Sequence, residues 1–174
     1  MWPTTSPPSP DASAMPRSLR FVSLLLLVPL LGAAGCGRSA PAASAPPKHE
    51  HKPPHGGTPV VLGDEAYHLE FVRDAATGRL SAYVFDGELE NFIRSAVPSI
   101  TLVATVHGAP QTLVLAAVPN PATGETVGDT ALFSGQAAWL ETTPEFDAVL
   151  SGIAIRGTTF ANVKFNFPRG NDTD

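Results

Sequence analysis

From Thr58 onward the chain is divided into short segments that leave no room for a long helix. Turn-forming residues recur roughly every ten positions, the spacing of an antiparallel β-sandwich. The segment "AYHLEFVR" (66–73) alternates, with Tyr67, Leu69 and Phe71 on one face and His68 and Glu70 on the other. "DAATG" (74–78) is a turn, and "RLSAYVFD" (79–86) returns as the partner strand. "PSITLVATV" and "QTLVLAAV" flank "HGAP" as a second hairpin, with His107 in its turn. "DAVLSGIAIRG" and "TFANVKFNFP" form a last one. In that final strand Ala161, Val163, Phe165 and Phe167 are expected on one face, and Asn162, Lys164 and Asn166 on the other.

Smaller pieces complete the pattern. "TPVVLG" (58–63) and "TALFSG" (130–135) read as short strands, and "PNPATGETVGD" (119–129) as a turn-rich loop. "QAAWLETTPEF" (136–146) has room for one helical turn, with Thr143 before Pro144 as a second candidate start. "GELENFIRSA" (87–96) spaces Leu89, Phe92 and Ile93 as a helical turn does, and reads equally as an irregular edge strand. The expected domain is all-β: an antiparallel, immunoglobulin-like β-sandwich of about seven strands over residues 58–169, with a disordered tail at 170–174.

The N-terminal region has a different character. "MPRSLRFVSLLLLVPLLGAAGCG" begins at Met15 with Arg17 and Arg20, continues in an apolar run, and exits through small residues to Cys36. That order is a secretory signal. The apolar run from Phe21 to Leu31 falls short of the roughly 20 residues that a membrane-spanning helix needs. "LLGAAGC" resembles the lipobox of bacterial lipoproteins, with Ala33 where leucine is usual. The resemblance implies removal of residues 1–35 and lipid on the Cys36 sulfur. Met15 is a candidate for the true start, because residues 1–14 carry no apolar periodicity. Cleavage before Cys36 leaves 139 of the 174 residues, with 9 basic against 15 acidic side chains and a net charge near −6. No basic patch for a nucleic-acid partner is expected. With its one cysteine lipidated, the domain holds by its core alone.

Between the cysteine and the first strand lies "GRSAPAASAPPKHEHKPPHGG" (37–57). Rich in Pro, Ala and Ser, it has too little apolar bulk to build a core and reads as a semi-extended tether. His49, His51 and His55 fall within it as H-x-H-x3-H. In an extended chain residues i and i+2 point the same way, roughly 6.5 Å apart, so two imidazoles can meet one ion. Two prolines before His55 and two glycines after it allow a third to turn back. Imidazole suits Zn²⁺ and Cu²⁺, whereas Cu(I) favours the thiolates and clustered methionines this region lacks. Glu50 offers an oxygen, while Lys48 and Lys52 repel a cation. The candidate metal set is His49, His51 and His55, joined by His68 and Glu70 from the outward face of the first long strand. The competing reading is a solvated linker with incidental histidines.

Motifs of catalysis are missing. "FSGQ" and "LSGI" lack the G-x-S-x-G elbow, and no H-E-x-x-H or phosphate-cradling glycine loop occurs. No enzymatic activity is expected.

"PHGG" (54–57) followed by "LGDEAYHLEFVRDAATGRLSAYVFDG" (62–87) resembles small exported bacterial lipoproteins with a PHGG…YHLE signature. They are similar to the HGG segments of heavy-metal efflux adaptor subunits. The resemblance covers residues 48–167 and carries over His55, Gly56, Gly57, His68 and Glu70. It implies a β-sandwich and metal handling, without the lipoyl and helical-hairpin parts of a complete adaptor.

The sequence thus leads to a lipid-anchored protein, at the outer membrane facing the periplasm, that binds Zn²⁺ or Cu²⁺ weakly and passes it to an efflux or other envelope partner. The alternative is a structural or interaction module with no metal role, using a sheet edge or outward Tyr83 and Phe160 as contacts. Cys36→Ser is expected to release the protein from membranes on fractionation; continued membrane association would refute the lipid anchor.

Overall fold

A computed structural model describes residues 52–172. Cys36, His49 and His51 lie outside this range. The described chain is antiparallel β throughout, apart from a single helical turn. Its elements are β1 (Thr58–Leu62), β2 (Tyr67–Asp74), β3 (Arg79–Asp86), β4 (Ser99–Val106), β5 (Ala109–Ala117), β6 (Leu132–Gln136), α1 (Trp139–Thr142), β7 (Phe146–Ile155) and β8 (Thr158–Phe167). All eight strands belong to one sheet, in the order β1-β2-β3-β6-β5-β4-β7-β8.

The order follows from four hairpins, β1–β2, β2–β3, β4–β5 and β7–β8, and three longer connections. The meander β4-β5-β6 is inserted between β3 and β7. Residues 87–98 cross one end of the sheet and residues 137–145 cross the other. At the second end α1 acts as a plug. Leu140 is fully buried in the core, and Arg73 from the end of β2 donates to the carbonyls of Leu140 (2.6 Å) and Glu141 (3.3 Å). The helical turn ends at Thr143, whose extended backbone suits the residue before a proline.

Period-two alternation places Leu69 and Phe71, Leu80, Ala82 and Val84, Ile100, Leu102 and Ala104, and Leu113 and Leu115 on one continuous inner face. The sheet curls around this core until it is nearly closed. Phe71 of β2 stacks on Phe165 of β8 at 4.8 Å, joining the two ends of the strand order through the interior. Closing such a sheet removes the exposed edges that would otherwise recruit other strands.

The seam between β1 and β8 is finished by residues that the sequence reading assigned to a tail. Gly170 pairs with Asn166, turning the chain back towards β1. The Asn171 side chain then acts as one rung of a missing strand. Its Oδ1 accepts from the Val61 N–H at 2.7 Å and its Nδ2 donates to the Val61 carbonyl at 3.1 Å. Thr58 Oγ1 donates to the Pro168 carbonyl beside it. Gly170 has φ +83°, and a Cβ there would lie 2.3 Å from the Pro59 carbonyl oxygen, so the turn requires glycine. The ordered domain therefore runs past Arg169.

Two local patterns differ from the sequence expectation. In β7 the buried positions are 146, 148 and 150, then 153 and 155. Pairing jumps from Leu150↔Val163 to Gly152↔Ala161, so Ser151 and Asn162 drop out, and Asn162 takes φ +56°. The alternation of β8 reverses at that point. Ala161 is exposed, while Phe160 turns edge-on against Tyr67 at 5.8 Å. The segment 87–96 is irregular. The Asp86 carboxylate accepts from the backbone N–H of Glu90 and Asn91 and from Asn91 Nδ2, and Leu89 has φ +56°. Leu89 and Ile93 are nevertheless buried.

Asn171→Ala leaves both polar groups of Val61 without their partner. A loss of about 1–3 kcal/mol of stability in urea unfolding is expected, and an unchanged midpoint would show that the seam closes without this side chain.

Candidate functional site

His68 and Glu70 share the outward face of β2, as the alternation predicts, but that face is covered. Glu70 is fully buried and His68 is 1% exposed. Over Glu70 the cover is the short arm of residues 53–57, which lies across β2 just before β1 begins.

His55, Gly56 and Gly57 of "PHGG" each have a physical task in laying the arm down. Gly56 adopts φ +66° and its N–H donates to the Pro53 carbonyl, which makes the turn. Gly57 sits so close to β2 that a Cβ would lie 2.6 Å from the Phe71 carbonyl oxygen and 2.9 Å from Glu70 Cγ. With the backbone this near, the N–H groups of His55 and Gly57 both donate to Glu70 Oε1 at 2.8 Å. The His55 ring completes the set, its Nδ1 lying 2.7 Å from Glu70 Oε2. A buried carboxylate is costly unless donors surround it. Here three donors, two of them backbone amides, hold the arm to the sheet.

Aromatic side chains fix the ring from the side. Tyr83, directly opposite Glu70 in the register, stacks on His55 with centroids 3.9 Å apart and planes 12° apart. Phe85 and Phe92 each lie 6.1 Å from the imidazole and stack on each other at 4.6 Å. Phe85 also lies opposite His68, whose Nδ1 is 3.4 Å from the Asp86 carbonyl oxygen. Asp86 supports this shell by shaping the loop that presents Phe92. Burial raises its pKa, but the donors Asn91, Glu90 and Glu88 outweigh that effect and hold the carboxyl below its usual range.

In the neutral ring, an Nδ1–H given to a carboxylate fixes the tautomer and leaves the other nitrogen, Nε2, carrying the lone pair. The His55 side chain is about one-third exposed, and among the described residues Nε2 has no hydrogen-bond partner. Metal-ligating histidines are oriented in the same way by a carboxylate behind the ring. The candidate ligands thus separate. Glu70 stands behind His55 with both oxygens engaged, and His68 lies buried opposite Phe85 with its Nδ1 towards the Asp86 carbonyl. Among the described residues no three His, Cys, Asp or Glu side chains converge on one point. His107 and Gly108, both at positive φ, form the two-residue turn between β4 and β5.

Sequence reasoning singled out His55 and Glu70 as candidate metal ligands but missed the hydrogen bonds that join them. It also missed the aromatic shell, although Tyr83 and Phe85 alternate in the same pattern as His68 and Glu70. The signal for the contact was the glycine pair, which allows a backbone to approach a strand closely. Comparison with protein-family models, curated proteins and solved structures finds no match.

Glu70→Ala removes the acceptor of all three donors. Amide exchange at His55 and Gly57 is expected to speed up by about 10- to 100-fold, with the β4–β5 amides unchanged. Equal protection in the variant would mean that apolar packing alone holds the arm.

Proposed function

We propose that this chain is an exported, lipid-anchored envelope protein whose arm binds a divalent transition ion, Zn²⁺ or Cu²⁺. His55 is the fixed ligand, and His49 and His51 supply the others from the tether. The observation that carries this reading is the pairing of His55 Nδ1 with the buried Glu70 carboxylate at 2.7 Å, which presents Nε2 as a donor. Glu70 acts in this reading as the positioning carboxylate and not as a ligand, and His68 belongs to the packing beside it. The resemblance of "PHGG" to segments of efflux adaptors points the same way, towards delivery of the ion to an efflux or other envelope partner at the outer membrane. Binding is weak, because Lys48 and Lys52 flank the histidines and the tether has to be ordered on the ion.

A second reading is supported by Phe92. This ring is 55% exposed although it stacks on Phe85, and such a side chain suits an interaction module with no metal role.

Calorimetric titration with Zn²⁺ and Cu²⁺ tests the first reading. Saturable heat is expected, weakened about tenfold or more by His55→Ala and abolished when His49, His51 and His55 all become alanine. Heat that survives the triple substitution would place the ion elsewhere, and a chain that gives no heat at all would leave the interaction module as the better reading.

A further inference from the structure

Beside the His55 cluster the sheet opens into a cavity of about 330 Å³, within the range of small-molecule sites. Tyr83, Phe92, Val118, Ala131 and Leu132 form its apolar wall, and Arg94 is the one cationic side chain lining it. We infer that this cavity is a binding site for a small aromatic carboxylate, an inference that does not rest on metal binding at His55.

The wall is built before any ligand arrives. The loop after β5 is fixed to its own turn, with the Asn120 carbonyl accepting from the N–H groups of Thr123 and Glu125. Glu125, the acidic residue of the lining, is occupied on both oxygens. Oε1 accepts from the Ala131 N–H at 2.8 Å and Oε2 from the Thr123 hydroxyl at 2.6 Å. It therefore serves as a brace for the loop. Arg94 is held across the opening by Asp129 at 2.9 Å and by the Thr123 carbonyl at 2.6 Å.

These contacts orient the guanidinium and use two of its five N–H donors, leaving three for an incoming carboxylate. Tyr83 and Phe92 in the same lining offer an aromatic ligand stacking or edge contacts. Phe92 would also lose its water-exposed surface, which gives the ligand an apolar driving force. A ring bearing one short acidic group satisfies both halves of the site. Because Tyr83 and Phe92 also flank His55, a ligand here alters the surroundings of that imidazole.

The probe is 2-naphthoate, with 2-naphthamide as the uncharged control, titrated into the purified chain and followed by amide and imidazole NMR signals. The expected result is binding with a Kd below about 1 mM, with shifts at Tyr83, Phe92, Ala131 and Leu132. The His55 ring signals should move and those of His107, at the far end of β5, should not. Arg94→Gln is expected to weaken naphthoate about tenfold and leave naphthamide unchanged, and Arg94→Lys should fall between the two. Arg94 is exposed, and a thermal melt establishes that each variant is folded; where Arg94→Gln melts early, Arg94→Lys carries the comparison. The inference is overturned by no saturable shift, by shifts mapping elsewhere, by equal binding of the amide, or by affinity indifferent to Arg94.

Discussion

The outer face of this domain is held in place by a carboxylate that water does not reach. Glu70 lies on the side of β2 that the alternation of the strand marks as solvent-facing, and it is tolerated there because the arm brings three donors to it. The dependence runs both ways. Without the arm the carboxylate would be partly dry and underbonded; without the carboxylate the arm has no fixed docking point. The stacking of His55 on Tyr83 and the outward direction of the imidazole both follow from that single anchor. Two glycines make it possible, since a side chain at Gly57 would push the backbone out of hydrogen-bonding distance.

How much of this could be read in advance depended on how local the cause was. The strands of the 67–86 hairpin and the face that each residue of β2 takes follow from period-two alternation, whereas the register does not, and the structure sets it with Phe85 opposite His68 and Tyr83 opposite Glu70. The all-β antiparallel class follows in the same way from the spacing of turns. The burial of Glu70 does not, because the arm that covers it has no periodicity of its own. The reversal of face within β7 and β8 depends on Ser151 and Asn162 leaving the ladder together, and neither residue announces this. For the segment 87–96, the helical spacing of Leu89, Phe92 and Ile93 competed with the Asp86 side chain, which captures the backbone N–H groups of Glu90 and Asn91. Local side-chain acceptors of this kind compete with helix formation.

The two candidate sites share a wall without sharing chemistry. Tyr83 and Phe92 touch the imidazole on one side and line the cavity on the other. Both sites rest on strand β3 and on a loop braced by its own hydrogen bonds, so neither requires a large rearrangement of the sheet. A rigid support of this sort favours precise placement of a few polar groups over adaptability.

The contact between Asn171 and Val61 joins residues 110 positions apart. Contacts of such long sequence separation form late, because the loop they close costs entropy before any packing compensates for it. In a chain that emerges from a ribosome or a translocation pore N-terminus first, β1 is among the first strands to appear and Asn171 among the last residues. During that interval the sheet has an unsealed margin that can pair with any extended neighbour. Asn171 and the Thr58–Pro168 contact beside it are therefore among the last to cover that margin as the chain is made, a matter of timing distinct from the stability they give the finished fold.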